Sequence, residues 1–483
     1  MKVLLIQPSH TGREPSLFPL GLGYIAAALK DIGAEVEILD IHAHNYSKEE
    51  TCQELDKLSY DVVGVNAFST QYSYIKWLTS ELKKRRSGKI ILGGPLSTYH
   101  PDLVLEKTDA DICVISEGDI TIKEIVENLD NLAQVRGIYY TKNGKIQANP
   151  PQEYIKNINS IPFSPYELFP VEIYFKHINL FGGFGKKTIN MITARGCPYR
   201  CNFCSRTIAG ARFRTVENVV EEIKFLKQKF AVDSILFNDE LVVISRKRVE
   251  ELCDKIRPLG IIWGCQGRAN TIDADLLRYM KNAGCVCIGY GIESGSQKIL
   301  DNMNKGVTVA QNEKALKDTF KAGLTPVIQM MFGYPGEDEN TIQETVDMMN
   351  RVHSSLPLPD TKNPQISLTI PLPGSPLYDQ VLSEGLIKDE EEFLSKIEMG
   401  YSRNSTVVVN LTKFTDSELL ALKAKAEKEI YANYRNYLKR HPWKYLSLPR
   451  KYWHDVKRNT HRYGYRSTFR IIILKLSGGK ITY

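Results

Sequence analysis

Cys197-Pro198-Tyr199-Arg200-Cys201-Asn202-Phe203-Cys204 follows directly on an apolar run at 188–193. The spacing is C-x3-C-x2-C, so three sulfurs share one short loop after a strand. Three thiolates placed this way can hold three irons of a cubane cluster and leave the fourth iron without a protein ligand. Such an iron is free to bind a small molecule directly. The competing reading is a zinc site, which wants a fourth Cys or His in paired spacing. The nearest histidines are His177 upstream and His353 downstream, too far along the chain to supply it. Cys197, Cys201 and Cys204 are therefore the candidate catalytic and metal-holding residues of one [4Fe–4S] centre. Cys52, Cys113, Cys253, Cys265, Cys285 and Cys287 are scattered or lie in apolar runs and read as small buried hydrophobes.

Working outward, strand patterns recur at 188–193, 234–237, 261–266, 286–291, 326–332 and 365–371. Helical patterns at 217–230, 247–256, 274–282, 310–322 and 339–352 separate them. Six βα units predict a partial barrel, with its chemistry at the C-terminal strand ends. Upstream, residues 1 to about 130 also alternate strand and helix, the rhythm of an open parallel sheet with helices on both faces. A proline-rich stretch with an Asn143-Gly144 hairpin lies between the two regions. The fold class is α/β. A doubly wound, Rossmann-like domain spans 1–135, a linker with a β-hairpin 136–187, a partial (β/α)6 barrel 188–385, and a mainly helical, basic region 386–483.

Composition sets the limits. The chain has 483 residues, 42% apolar and 25% charged, which is ordinary for soluble protein of two or three domains. No run of about 18 apolar residues predicts a spanning helix. The opening MKVLLIQPSH reads as a buried strand rather than a signal peptide. Nine cysteines in so large a chain argue against a disulfide framework and for a reducing cytoplasm. The net charge of +7 is uneven. Residues 431–483 hold 13 Lys/Arg, eleven aromatic residues and the single acid Asp455. Such a tail suits an anionic membrane surface at the inner face. Nucleic acid ranks behind that reading, and a helical cap with a solvated basic face is the bland alternative.

The cysteine spacing, with Phe203 before the last cysteine, resembles the radical S-adenosylmethionine (SAM) superfamily. Further stretches match that barrel in order: Asn238-Asp239-Glu240, Gln266-Gly267-Arg268, Gly291-Ile292-Glu293-Ser294-Gly295, Gly333-Tyr334-Pro335-Gly336-Glu337 and Pro371-Leu372-Pro373-Gly374. The resemblance implies that the cluster binds SAM, cleaves its sulfonium bond reductively and yields a 5′-deoxyadenosyl radical. It assigns Phe203, Arg268, Glu293 and Ser294 to SAM, with a rim salt bridge the alternative for Arg268; Tyr334 is placed on the substrate side, and Asp239 is either substrate-facing or a loop cap. Arg212 and Arg214 are candidates to clamp a ligand.

Residues 1–130 resemble the cobalamin-binding domain that precedes the barrel in cobalamin-dependent members. The motifs are Phe18-Pro19-Leu20-Gly21-Leu22-Gly23, Leu39-Asp40-Ile41-His42-Ala43-His44-Asn45, Gly93-Gly94-Pro95 and Glu117-Gly118-Asp119. The resemblance assigns Leu20, Gly21, Asp40, His42, Asn45, Ser69, Gly93, Gly94, Glu117 and Gly118 to cobalamin. Asn45 stands where the cobalt-ligand motif of cobalamin mutases requires Gly, so His42 and His44 read as loop residues. No G-x-G-x-x-G follows the first strand, which weakens a dinucleotide reading. Cys52 and Cys113 are too few for the second cluster of methylthiolating relatives.

The expectation is a cobalamin-dependent radical SAM enzyme, a C-methyltransferase acting on an unactivated carbon. Its cofactors are one [4Fe–4S] cluster, SAM and cobalamin. Its partners are a flavodoxin- or ferredoxin-type donor and a small, hydrophobic or lipid-like substrate. A radical cyclase, oxidoreductase or rearrangement enzyme that uses cobalamin without methyl transfer is the rival within the class. A degenerate cofactor-binding scaffold is the rival outside it.

Overall fold

The computed structural model describes residues 1–10, 16–85, 88–178, 185, 187–208, 210–355, 365–403 and 406–440. Expectations that rest on the tail beyond Arg440, membrane docking among them, lie outside the described residues.

The first sheet has the order β2-β1-β3-β4-β5-β6-β7. Its strands are β1 (Lys2–Gln7), β2 (Glu35–Asp40), β3 (Val62–Asn66), β4 (Lys89–Gly93), β5 (Ile112–Val114), β6 (Ile138–Lys142) and β7 (Lys145–Ala148). β1 to β5 run parallel. Val3, Leu4, Leu5 and Ile6 are buried on both faces, as the continuous apolar run requires. The chain switches direction of winding between β1 and β3, the place where an open α/β sheet leaves a crevice at its carboxyl edge. The hairpin expected in the linker instead extends this sheet, because β6 pairs antiparallel with β5. β5 is only three residues long, and the hairpin covers what would otherwise be an open edge.

The second sheet has the order β15-β14-β13-β12-β11-β8, all parallel. The strands are β8 (Thr188–Met191), β11 (Ser234–Phe237), β12 (Ile262–Gly267), β13 (Cys285–Glu293), β14 (Thr325–Phe332) and β15 (Gln365–Leu368). Strict sequential order with edges at β8 and β15 makes it an open half-barrel. A separate two-stranded ribbon, β9 (Ala194–Arg195) with β10 (Arg212–Phe213), carries the cysteine loop between its strands. The helix Asp416–Arg440 packs on the helix Glu339–Ser355. No helix among the described residues is long and apolar enough to cross a membrane.

Buried polar bonds fix how the sheets face each other. The Asn190 amide on β8 accepts from Phe18 N–H at 2.7 Å and donates to its carbonyl at 3.0 Å. That double bond anchors the entry to α1 (Leu20–Asp31), while the Phe18 ring sits among Tyr166, Phe169 and Tyr174. The connector is held by Tyr166, whose hydroxyl donates to Glu222 at 2.8 Å; Glu222 also pairs with Arg214 at 2.5 Å. Glu222 is fully buried and Arg214 nearly so. Removing one member of such a pair leaves an uncompensated charge in the interior. Glu222→Ala is expected to destabilise the chain by about 3–5 kcal/mol, read as a lower denaturant midpoint, whereas exposed Glu217→Ala is expected to change it little.

Candidate functional site

The carboxyl ends of both sheets open onto one cavity of about 300 Å³. From the first sheet and its helices it is lined by Leu20, Gly21, Asn66, Gly93, Gly94 and Gly118; from the half-barrel side by Ile192, Ala194, Arg195, Asn238 and Glu240. Apolar side chains dominate the rest of the wall. A Cβ added to Gly21 or to Gly93 would meet no atom within 4 Å. Both glycines therefore leave wall space for a broad ligand rather than serving a tight turn. This cradle fits the flat macrocycle implied by the resemblance.

Six of the ten residues expected at that ligand line the cavity: Leu20, Gly21, Gly93, Gly94, Glu117 and Gly118. Four do not, for local reasons. Asp40 caps the short helix Ile41–His44, accepting from Ala43 N–H at 2.9 Å, and takes the Tyr174 hydroxyl at 2.6 Å. His42 is buried, with its Nδ1 accepting from His10 N–H at 3.3 Å. Asn45 ends the helix with φ 54°, a left-handed conformation that Asn tolerates. Ser69 is buried at the start of a short 3-10 turn. Glu117 lines the cavity, yet its carboxylate is occupied by Arg195 and Arg212 at 2.8–2.9 Å. Those arginines also hold its carboxyl below the ordinary carboxylate range, against the opposing push of burial.

The cysteine loop folds against the end of the helix Gln297–Asn302 and the turn after β15. Asn202 N–H bonds Met303 O at 2.9 Å, Leu377 N–H bonds Asn202 O at 2.9 Å, and Ser205 Oγ donates to Pro373 O at 2.6 Å. Burial and the neighbouring Cys201 and Cys197 sulfurs push the Cys204 thiol up to about 11. Each sulfur thus sits within the electrostatic reach of the others. Cys201 is buried, Cys197 half-buried and Cys204 exposed, so the triad opens on one side. Among the described residues no three His, Cys, Asp or Glu side chains converge as ligands of a single ion. A cubane spreads its thiolates over different irons, which three sulfurs on one loop, one of them exposed, can supply.

Arg268 is buried against this loop. Its guanidinium stacks on Tyr199 at 3.8 Å and donates to Cys201 Sγ at 3.7 Å. It therefore faces sulfur rather than an open carboxylate position. Glu293 takes φ 61° at a bulge in β13 and pairs with buried Lys305 at 2.6 Å. A Cβ on Gly291 would lie 2.2 Å from Glu293 Oε1, so the folded-back carboxylate requires that glycine. Lys305 also lies 5.3 Å from the Phe203 ring centroid, which places Glu293, Lys305 and Phe203 beside the cluster loop. Ser294 is fully buried; its hydroxyl meets Thr345 Oγ1 at 3.2 Å and accepts from Ser296 N–H at 3.1 Å. It braces the strand end and does not open onto the rim.

The substrate-side expectations change most. Tyr334 is buried, with its hydroxyl donating to Asn302 O at 3.3 Å. Asp239 is buried and accepts from Thr193 N–H at 2.7 Å and Ala194 N–H at 2.5 Å. It shapes the step from β8 to β9, and its neighbours Asn238 and Glu240 line the cavity instead. Arg214 is committed to Glu222 and Asn218. Sequence reading missed Arg195 and Lys305. Arg195 adjoins the cysteine motif, and Lys305 follows Glu293 by twelve residues in a polar turn; neither carries a motif of its own.

Two outcomes follow from this geometry. Gly93→Val is expected to fold and load its cluster normally, yet to retain corrinoid at least about tenfold less tightly, because the new side chain fills the cradle; corrinoid absorbance after gel filtration reads this. Burial pushes Asp239 from 3.8 up to about 7. Between those values the native state keeps a proton that the unfolded chain has released, so stability falls as pH rises from about 4 to 7. Asp239→Asn keeps an acceptor for both N–H groups and is expected to flatten that stretch of the stability–pH curve, measured by denaturant midpoints at pH 5 and 8.

Comparison with known proteins agrees with this layout. The B12 binding domain family matches residues 13–126, and the Radical SAM superfamily matches 191–349. An uncharacterized methyltransferase of Pyrococcus horikoshii is 28% identical over 89% of this chain and 92% of its own length. The anaerobic magnesium-protoporphyrin IX monomethyl ester cyclase of Rubrivivax gelatinosus is 28% identical over 81% of this chain and 72% of its own. The fold is shared with the radical SAM methyltransferase TsrM from Kitasatospora setae, solved with cobalamin and a [4Fe–4S] cluster bound. That match has a TM-score of 0.65 at 18% identity and covers 79% of this chain and 75% of that one. With one cofactor domain on each side of a shared cavity, the chain belongs to the radical SAM proteins that carry a B12-binding domain.

Proposed function

We propose that the chain transfers a methyl group to an unactivated carbon of a small molecule. The observation that carries this reading is the shared cavity, in which Gly21 and Gly93 of one domain face Arg195, Asn238 and Glu240 of the other. When bound, the cluster and SAM supply radical hydrogen abstraction, and cobalamin supplies a methyl carrier.

The chain's own residues set the conditions. Cys197, Cys201 and Cys204 would hold the cluster, and Arg268 and Lys305 place positive charge beside the sulfur loop. Glu293, fixed by Lys305, stands ready on the same rim for a cationic amino group. The largely apolar wall of the cavity would help keep water from a reactive intermediate once ligands fill it. A methyltransferase name on a relative aligned over nearly its full length supports methyl transfer. The cyclase relative keeps the non-methylating alternative in view. A low-potential donor of the flavodoxin or ferredoxin type fits the chemistry, and a hydrophobic substrate fits the apolar wall.

The two chemistries differ in what they leave of SAM. Reconstituted chain supplied with cobalamin, SAM and dithionite is expected to release S-adenosylhomocysteine as well as 5′-deoxyadenosine, because remethylating the carrier consumes a second SAM. Chromatography of the quenched mixture checks it. Formation of 5′-deoxyadenosine alone, with corrinoid bound, would favour the non-methylating reaction.

A further inference from the structure

The cysteine loop is an excursion from the β9–β10 ribbon, and Arg195 stands directly opposite Arg212 across that ribbon. Like charges placed so repel. Their counter-charges come from the other domain. Arg195 makes a two-pronged bond to Asp119, at 2.9 and 3.0 Å, and a third bond to Glu117 at 2.9 Å. Arg212 grips both oxygens of Glu117 at 2.8 Å. The side chains are 6–17% exposed, so water screens the four charges little. Just inside the ribbon, Gly196 takes φ +85°, and a Cβ there would lie 2.2 Å from Gly210 O. The two limbs of the loop therefore touch where the arginines sit. Ser116 Oγ adds a bond to Thr207 O at 3.1 Å from the same neighbouring domain.

We propose that Glu117 and Asp119 are positioning residues for the iron–sulfur loop, closing its stem from the cobalamin domain. Without them the paired arginines drive β9 and β10 apart, and the three sulfurs lose their common setting. Loading of the cluster then depends on docking of a domain that supplies none of its ligands. The proposal rests on the cluster reading of Cys197, Cys201 and Cys204, but not on cobalamin.

The full chain is tested in two forms. In the cluster-free form, hydrogen exchange of peptides covering 196–208 is expected to quicken at least about tenfold in Glu117→Gln and in Asp119→Asn. Peptides from β12 and β13 stay at the wild-type rate. Glu117→Asp, which keeps the charge, stays within about twofold of wild type. In the cluster-loaded form, the ferrous chelator bathophenanthroline withdraws iron faster from Glu117→Gln by a similar factor. Glu117→Gln/Arg212→Gln recovers most of the protection, because the repulsion is gone. Unchanged exchange and iron release in both single variants overturns the proposal, and so does a double variant that is worse than Glu117→Gln. Should Glu117→Gln fail to fold, Asp119→Asn, which leaves Glu117 between the two arginines, carries the test. A wild-type chain that takes up no cluster defeats the functional reading instead, and exchange in the cluster-free form still decides the stem.

Discussion

Four charges sit where two sheets meet: Arg195 and Arg212 from the ribbon beneath the cysteine loop, Glu117 and Asp119 from the mouth of the first sheet. Each domain alone would present a pair of like charges. Together the charges balance, and the balance is reached only in one relative placement. The Asn190 amide, bonded to both polar groups of Phe18, enforces the same placement through neutral hydrogen bonds. The carboxyl ends of the two sheets consequently face each other, and the cavity between them has walls from both.

This arrangement explains why several side chains that look functional in isolation are structural. A rim shared by two domains needs internal bracing, and polar residues near it supply that bracing. Asp239 holds two backbone N–H groups, Ser294 ties a strand end to Thr345, and Glu117 answers two arginines. What remains open to a ligand is mostly absence of side chain, at Gly21 and Gly93, together with Asn238 and Glu240. Glu293, left-handed at the bulge in β13, is buried and paired with Lys305 beside the cluster loop.

Much of this was legible in the sequence. The six strands of the half-barrel and the parallel core of the first sheet follow from apolar runs bounded by helical periodicity. Gly21, Gly93 and Gly94 are singled out by resemblance to a cobalamin-binding domain, and the cavity they line agrees with that placement. Partnership between domains is not visible in one dimension. Nothing local in Glu117-Gly118-Asp119 says that its acids answer arginines some 80 residues later, and nothing in Asp40 shows that Tyr174 already holds it. The hairpin at 138–148 was legible as a hairpin, but its sheet was not, since edge pairing with β5 depends on tertiary placement.

The central claim is that the corrinoid cradle opens beside the base of the cluster loop, at Arg195 and Ile208. Electron paramagnetic resonance of the chain loaded with both groups, with the cluster reduced and the corrinoid as cob(II)alamin, measures this most directly. Two unpaired spins across one cavity broaden and split each other's signals, and the account predicts that the cobalt signal changes when the cluster is reduced. A cobalt spectrum identical with and without the reduced cluster, in protein shown to hold both, would contradict it.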